Sequence, residues 1–192
     1  MQTSLFTSQN WLNAIGKKKP SALIAGVDEV GRGALFGPVV AAAVLVRPCH
    51  LTELSAAGVA DSKQLSPKRR KQAVSDIHKI AVDCQIGVAS VHEIDRINIL
   101  QASLLAMKRA LLKLTLRPDG CLVDGNQAIP CLAIPQQTIV KGDQHSAAIA
   151  AASILAKVWR DKLIVRLDTQ HPGYDLASNK GYSKCVSRFE PY

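Results

Sequence analysis

The longest unbroken apolar run in the chain, Val39–Val46, has only eight residues, all Val, Ala or Leu. A membrane-spanning helix needs about 20 apolar residues. The run therefore reads as a strand buried on both faces. A run of similar texture, Ala22–Val30, precedes it, and the glycine-bearing loop GRGALFGP (31–38) links the two as a turn. Ser66-Pro67 is a helix start, with Ser66 as N-cap and Pro67 at the first helical position, opening a helix to about Val82. Gln85–Val91 alternates as a third strand. Asn98–Leu114 carries apolar residues every three to four positions and predicts an amphipathic helix. Cys121–Asp124 and Thr138–Val140 are very short strands, and the alanine-rich Ser146–Leu167 is the longest helix. Its alanines allow another backbone to approach closely. Hairpin-linked strands followed by strands alternating with helices predict an α/β fold, a mixed β-sheet flanked by helices.

At 192 residues the chain is long enough to bury a core without disulfides or a structural metal. Residues 1–20 read as an N-terminal lead-in, 21–170 as one catalytic domain, and 171–192 as a short C-terminal segment. The N-terminus lacks the basic and apolar regions of a secretory signal. Cys49, Cys84, Cys121, Cys131 and Cys185 are odd in number and form no CxxC pair, which fits a reducing cytoplasm rather than a disulfide or zinc framework. The excess of 24 Lys and Arg over 15 Asp and Glu, a net +9, favours a polyanionic partner. With a membrane excluded, that partner is nucleic acid.

Three apolar runs stop at carboxylates: Val27-Asp28-Glu29, Val123-Asp124-Gly125 and Gly142-Asp143. One such ending is ordinary turn chemistry. Three in one small sheet are not, because neighbouring strand ends converge. Four acids gathered together repel, and an all-oxygen set of this kind selects Mg²⁺ or Mn²⁺ over zinc. Setting these acids aside leaves 24 positive residues against 11 negative, or +13. An acidic, metal-holding pocket in a basic protein suits phosphodiester cleavage, with metal activating water and basic surface holding the backbone. Gly31-Arg32-Gly33 follows the first acids directly and must border that pocket. Its glycines permit close approach and its arginine offers a phosphate fork.

VDEVGRG (27–33), DSKQLSPKRR (61–70), HEIDRINIL (92–100), VDGN (123–126), KGD (141–143), IAAASILAKVWRD (149–161) and NKGYSK (179–184) together resemble bacterial ribonuclease HII, over about residues 21–184. The resemblance implies a ribonuclease H-like mixed sheet. It also implies a monomeric endonuclease that hydrolyses the RNA strand of RNA–DNA hybrids and cuts at single ribonucleotides embedded in duplex DNA. Asp28, Glu29, Asp124 and Asp143 would then be the catalytic, Mn²⁺- or Mg²⁺-binding set. Gly31, Arg32 and Gly33 would sense the ribose 2′-hydroxyl, which distinguishes RNA from DNA. Lys63 would grip a substrate phosphate, and Tyr182 would stack on the adjoining deoxyribose. Asn179 stands where the family usually has histidine, and the chain after Tyr182 is shorter than the family's, which bears on the grip on flanking duplex.

Other motifs read more plainly. His92-Glu93-Ile94-Asp95 lacks HExxH spacing and is an ordinary helix start. Lys68-Arg69-Arg70-Lys71 is either a phosphate contact or a solvated helix face. His145, two residues past Asp143, either acts near the metals or, as is commoner for a helix-start histidine, is structural, and Trp159 with its Leu/Ile stripe fits the core. A catalytically silent hybrid- or RNA-binding module would have no use for four acids facing phosphates. A resolvase-type nuclease of related fold is disfavoured by the GRG and KGY motifs.

Overall fold

The computed structural model describes residues 21–59 and 66–183. The N-terminal lead-in, Lys63, Cys185 and the segment beyond Ser183 lie outside the described residues.

Five strands form one sheet in the order β3-β2-β1-β4-β5. The strands are β1 (Ile24–Val30), β2 (Val39–Val46), β3 (Asp83–Ala89), β4 (Gly120–Asp124) and β5 (Gln136–Ile139). β1 pairs antiparallel with β2, and β2 with β3. β1 and β4 run parallel, as do β4 and β5. The sheet is mixed, as the element order predicted. After β2 a short 3₁₀ turn leads into α1 (Leu51–Ala56). The remaining helices are α2 (Pro67–Ile80), α3 (Val91–Leu112), α4 (Gly142–His145), α5 (Ala147–Asp168) and α6 (Leu176–Asn179).

Strand alternation sorts side chains between two layers. Val39, Ala41, Ala43 and Leu45 of β2 face α3, whereas Ala42 and Val44 join α1, α2 and α5 on the other side. Both faces are covered, so β2 is apolar throughout. Small residues bring α5 close: a Cβ on Gly26 would lie 2.2 Å from the Ala148 carbonyl carbon. Alanines 150, 151, 152 and 156 are buried in the same layer. Trp159 is only half-buried. It lines a shallow apolar cavity with Val74, His78 and Ile86, so it is not the core residue its stripe suggested.

Several boundaries differ from the sequence expectation. Ser66 caps α2 as expected, accepting from the Arg69 amide at 3.3 Å, although the helix ends at Ile80. β3 lies two residues earlier than Gln85–Val91, because Ser90 and Glu93 form a capping box that starts α3 at Val91. Asn98 interrupts α3 with φ 68°, and its Oδ1 accepts from the Gln101 amide. The helix expected from Asn98 onward is thus the second, self-capped part of a longer kinked one. The described cysteines are free, and burial pushes the Cys84 and Cys121 thiols up to about 12. Among the described residues no helix is long and apolar enough to cross a membrane.

Candidate active site

The β1–β4 ladder ends at the pair Val27 and Val123. One residue on, Asp28 and Asp124 leave adjacent parallel strands on the α5 side of the sheet. Asp28, Glu29 and Asp124 each offer a carboxylate oxygen within 4.8 Å of the others. Asp28 is 5% exposed and Asp143 4%, depths at which carboxylates are uncommon.

Asp143 reaches this site differently from expectation. Its apolar run does not end at the carboxylate, since β5 stops at Ile139 and Lys141 turns the chain through a left-handed conformation, φ 55°. Asp143 then sits in the single turn of α4. The Gly142 amide donates to Asp124 Oδ1 at 2.7 Å, tying this turn to the end of β4. Asp143 lies outside the tight triad yet lines the same cavity of about 310 Å³, with Asp28, Glu29, Asp124 and Ser153.

The electrostatics favour a cation. Burial, then repulsion by Glu29 and Asp124, pushes the Asp28 carboxyl well above the usual carboxylate range, opposed by hydrogen bonds from Ser153 and the Glu29 amide. Glu29 is also raised, chiefly by burial, against the pull of Arg32. Arg32 Nη1 donates to Glu29 Oε1 at 3.2 Å, but half of the arginine side chain remains exposed. Arg32 is half exposed and Lys157 on the same wall pairs with Asp161, so these cations offset the cluster only in part. A hard divalent ion fits its oxygen-only donors, and the cavity has room for an ion with several waters.

Cationic side chains complete the wall. Lys157 stands one helical turn beyond Ser153 on α5 and pairs with Asp161 at 2.8 Å. Arg70 also lines the cavity, while Lys68, Arg69 and Lys71 are exposed. Of the basic run, Arg70 alone is on the cavity wall. His145 is exposed at the end of α4. His92-Glu93-Ile94-Asp95 starts α3, where Glu93 caps the helix and pairs with Arg109 at 2.6 Å.

Gly31-Arg32-Gly33 borders the acids as expected. Gly31 is buried at φ 108°, where a Cβ would come 2.6 Å from Arg160 Nε, whereas a Cβ on Gly33 would meet nothing within 4 Å. Tyr182 is half-buried, 5.3 Å from Lys157 Nζ to ring centroid. Asn179 closes the turn before it, its Oδ1 accepting from the Gly181 amide at 2.7 Å and its Nδ2 donating to the Tyr174 carbonyl at 2.7 Å. Sequence reasoning missed Ser153 and Lys157 on the cavity wall, and the contact of Arg160 with the neighbouring loop. The available signal was a polar stripe at positions 153, 157 and 160 inside an otherwise alanine-rich helix.

A mixed sheet in this strand order, with Asp28 near the end of β1 beside Asp124 at the end of β4, is the arrangement of a ribonuclease H-like α/β protein. Its fold matches a ribonuclease H2 from Pyrococcus horikoshii at TM-score 0.72 and 28% identity, covering 85% of this chain and 82% of that one. The family model for ribonuclease HII matches residues 25–187. Ribonuclease HII of Acaryochloris marina is 63% identical over 168 residues, 88% of this chain and 85% of the relative. Ribonuclease HII of Trichodesmium erythraeum is 66% identical over 162 residues, 84% of this chain and 77% of the relative. The chain belongs to the ribonuclease HII family.

Proposed function

We propose that the protein is a divalent-cation-dependent endonuclease that hydrolyses the RNA strand of RNA–DNA hybrids and cuts duplex DNA at single embedded ribonucleotides. The observation that carries this reading is the triad of Asp28, Glu29 and Asp124 within 4.8 Å, in a chain of net charge +9. Asp143 on the same cavity wall is the fourth carboxylate.

The four acids would hold Mg²⁺ or Mn²⁺, two ions at full occupancy. Bound there, such ions supply water activation and offset charge on the phosphate. The chain's own residues arrange the donors. The Glu29 amide and Ser153 fix Asp28, and the Gly142 amide fixes Asp124. Arg32 holds Glu29 when no substrate is present and offers a fork to phosphate when one arrives. Open space beside Gly33 admits a sugar to the loop, where main-chain groups can meet a 2′-hydroxyl. Tyr182 provides a flat face for the neighbouring deoxyribose. Lys63, outside the described residues, keeps the phosphate contact that family resemblance implies. We further propose that the enzyme acts as a monomer in the cytoplasm, a setting that the free thiols of the described cysteines fit.

The test is cleavage of an end-labelled DNA duplex containing one ribonucleotide, with and without Mn²⁺. Cutting only with the cation, leaving 5′-phosphate and 3′-hydroxyl ends, is expected. Products ending in 2′,3′-cyclic phosphate would refute water as the attacking group, and uncut duplex at all cation concentrations would refute the nuclease.

A further inference from the structure

Arg160 is fully buried, and the roles assigned above leave it unused. Three neutral main-chain carbonyls receive its guanidinium. Nε donates to Pro38 at 3.1 Å, Nη2 to Phe36 at 2.7 Å, and Nη1 to Lys180 at 2.9 Å. Two of these acceptors belong to the loop that begins with Gly31-Arg32-Gly33. The third belongs to the turn that carries Tyr182. The same two segments touch directly, since the Leu35 and Phe36 amides both donate to the Gly181 carbonyl, at 2.8 and 3.2 Å.

The packing admits little at this point. A Cβ on Gly31 would crowd Arg160 Nε, and one on Gly181, at φ 81°, would lie 2.7 Å from the Phe36 carbonyl oxygen. The guanidinium carbon lies 5.5 Å from the Tyr182 ring centroid, within cation–π range. A guanidinium presents donors along a rigid planar fork and can bridge carbonyls that diverge in direction. A lysine ammonium offers its donors from one point and cannot span them equally.

We infer that Arg160 is a positioning residue for substrate recognition: it clamps the 31–38 loop to the 180–182 turn, so that the 2′-hydroxyl-sensing loop and Tyr182 form one rigid surface beside the carboxylates. This rests on the substrate roles proposed above for that loop and for Tyr182. Arg160 belongs neither to the carboxylate triad nor to the residues lining its cavity, so its replacement is expected to leave cation binding in place.

The experiment compares wild type, Arg160→Lys, Tyr182→Ala and the double variant. Each is assayed on duplex DNA with one ribonucleotide and on a uniform RNA–DNA hybrid, and each is melted with and without Mn²⁺. Arg160→Lys is expected to keep the Mn²⁺-induced rise in melting temperature. It is expected to lose about ten- to a hundredfold in kcat/KM at the single ribonucleotide, the range for a charged hydrogen bond, and less on the uniform hybrid. Because Arg160 acts through the Tyr182 turn, the double variant should be no worse than the weaker single variant. An unchanged ratio between the two substrates, or multiplying losses in the double variant, would make Arg160 a structural residue only. If Arg160→Lys does not fold, Gly181→Ala disturbs the same clamp with the arginine intact, and an unchanged ratio there overturns the inference equally. A wild-type protein that cuts neither substrate overturns the nuclease reading itself and this inference with it.

Discussion

Asp28 is walled in by α5 and faces two other acids, so its charged form is the least comfortable group in the bare cavity. Two effects of Asp28→Asn follow. Without divalent cation the variant should melt higher than wild type by a few degrees, since relieving about 1 kcal/mol moves a domain of this size by about 2–4 °C. With Mn²⁺ the order should reverse, because wild type gains by mass action and the variant has lost a ligand. Calorimetry with and without the cation checks both, and a variant that rises as much as wild type would remove Asp28 from the cation site. The acids themselves were legible because a carboxylate closing an apolar run is expensive enough to stand out. Arg160 was not, because an arginine on a helix belongs to solvent by default. Only the packed loop reveals that its neighbours offer carbonyls. Gly31 and Gly33 also look equivalent in the motif. In three dimensions a Cβ on Gly31 would meet Arg160, whereas one on Gly33 would meet nothing within 4 Å.

α3 shows how a helix start is set locally and then reinforced from a distance. Ser90 and Glu93 exchange hydrogen bonds, and Arg109, sixteen residues on, pairs with the same glutamate. Arg109 first, then the Ser90 amide, pull the Glu93 carboxyl from an ordinary 4.5 down to about 2. A carboxyl lowered on folding stabilises fully above its unfolded value, and that support is lost as pH falls toward the folded one. Glu93→Gln should therefore melt below wild type at pH 7, with the gap narrowing from about pH 4.5 downward toward 2. A gap that stays the same from pH 4.5 down to about 2 would assign the effect to packing. Ser90→Ala should cost about 1 kcal/mol at pH 7, the usual worth of an N-cap. The order of strands and helices could be read from periodicity alone. The ends of β3 and β5 could not, since each is fixed by a competing event. At β3 that event is the Ser90 box, and at β5 it is the left-handed Lys141 that carries Asp143 onto α4.

Across the whole molecule, a basic exterior surrounds an acidic cavity, and the two should respond oppositely to ions. Divalent cation should strengthen hybrid binding by neutralising the cavity, whereas monovalent salt should weaken it by screening the surface. If about four phosphates are neutralised, affinity should fall roughly a hundredfold between 50 and 200 mM salt. A flat salt dependence in a fluorescence titration would contradict the proposed polyanion contact. The clamp at Arg160 also has a consequence for the protein while it is being made. Asp124, which closes the triad, precedes Tyr182, which ends the turn that Arg160 grips, by 58 residues. At roughly 5–20 residues per second, several seconds of translation separate the two. A nascent chain can thus hold the carboxylate triad well before it can hold the surface proposed to read ribose, so the proposed discrimination arrives later than the acids do.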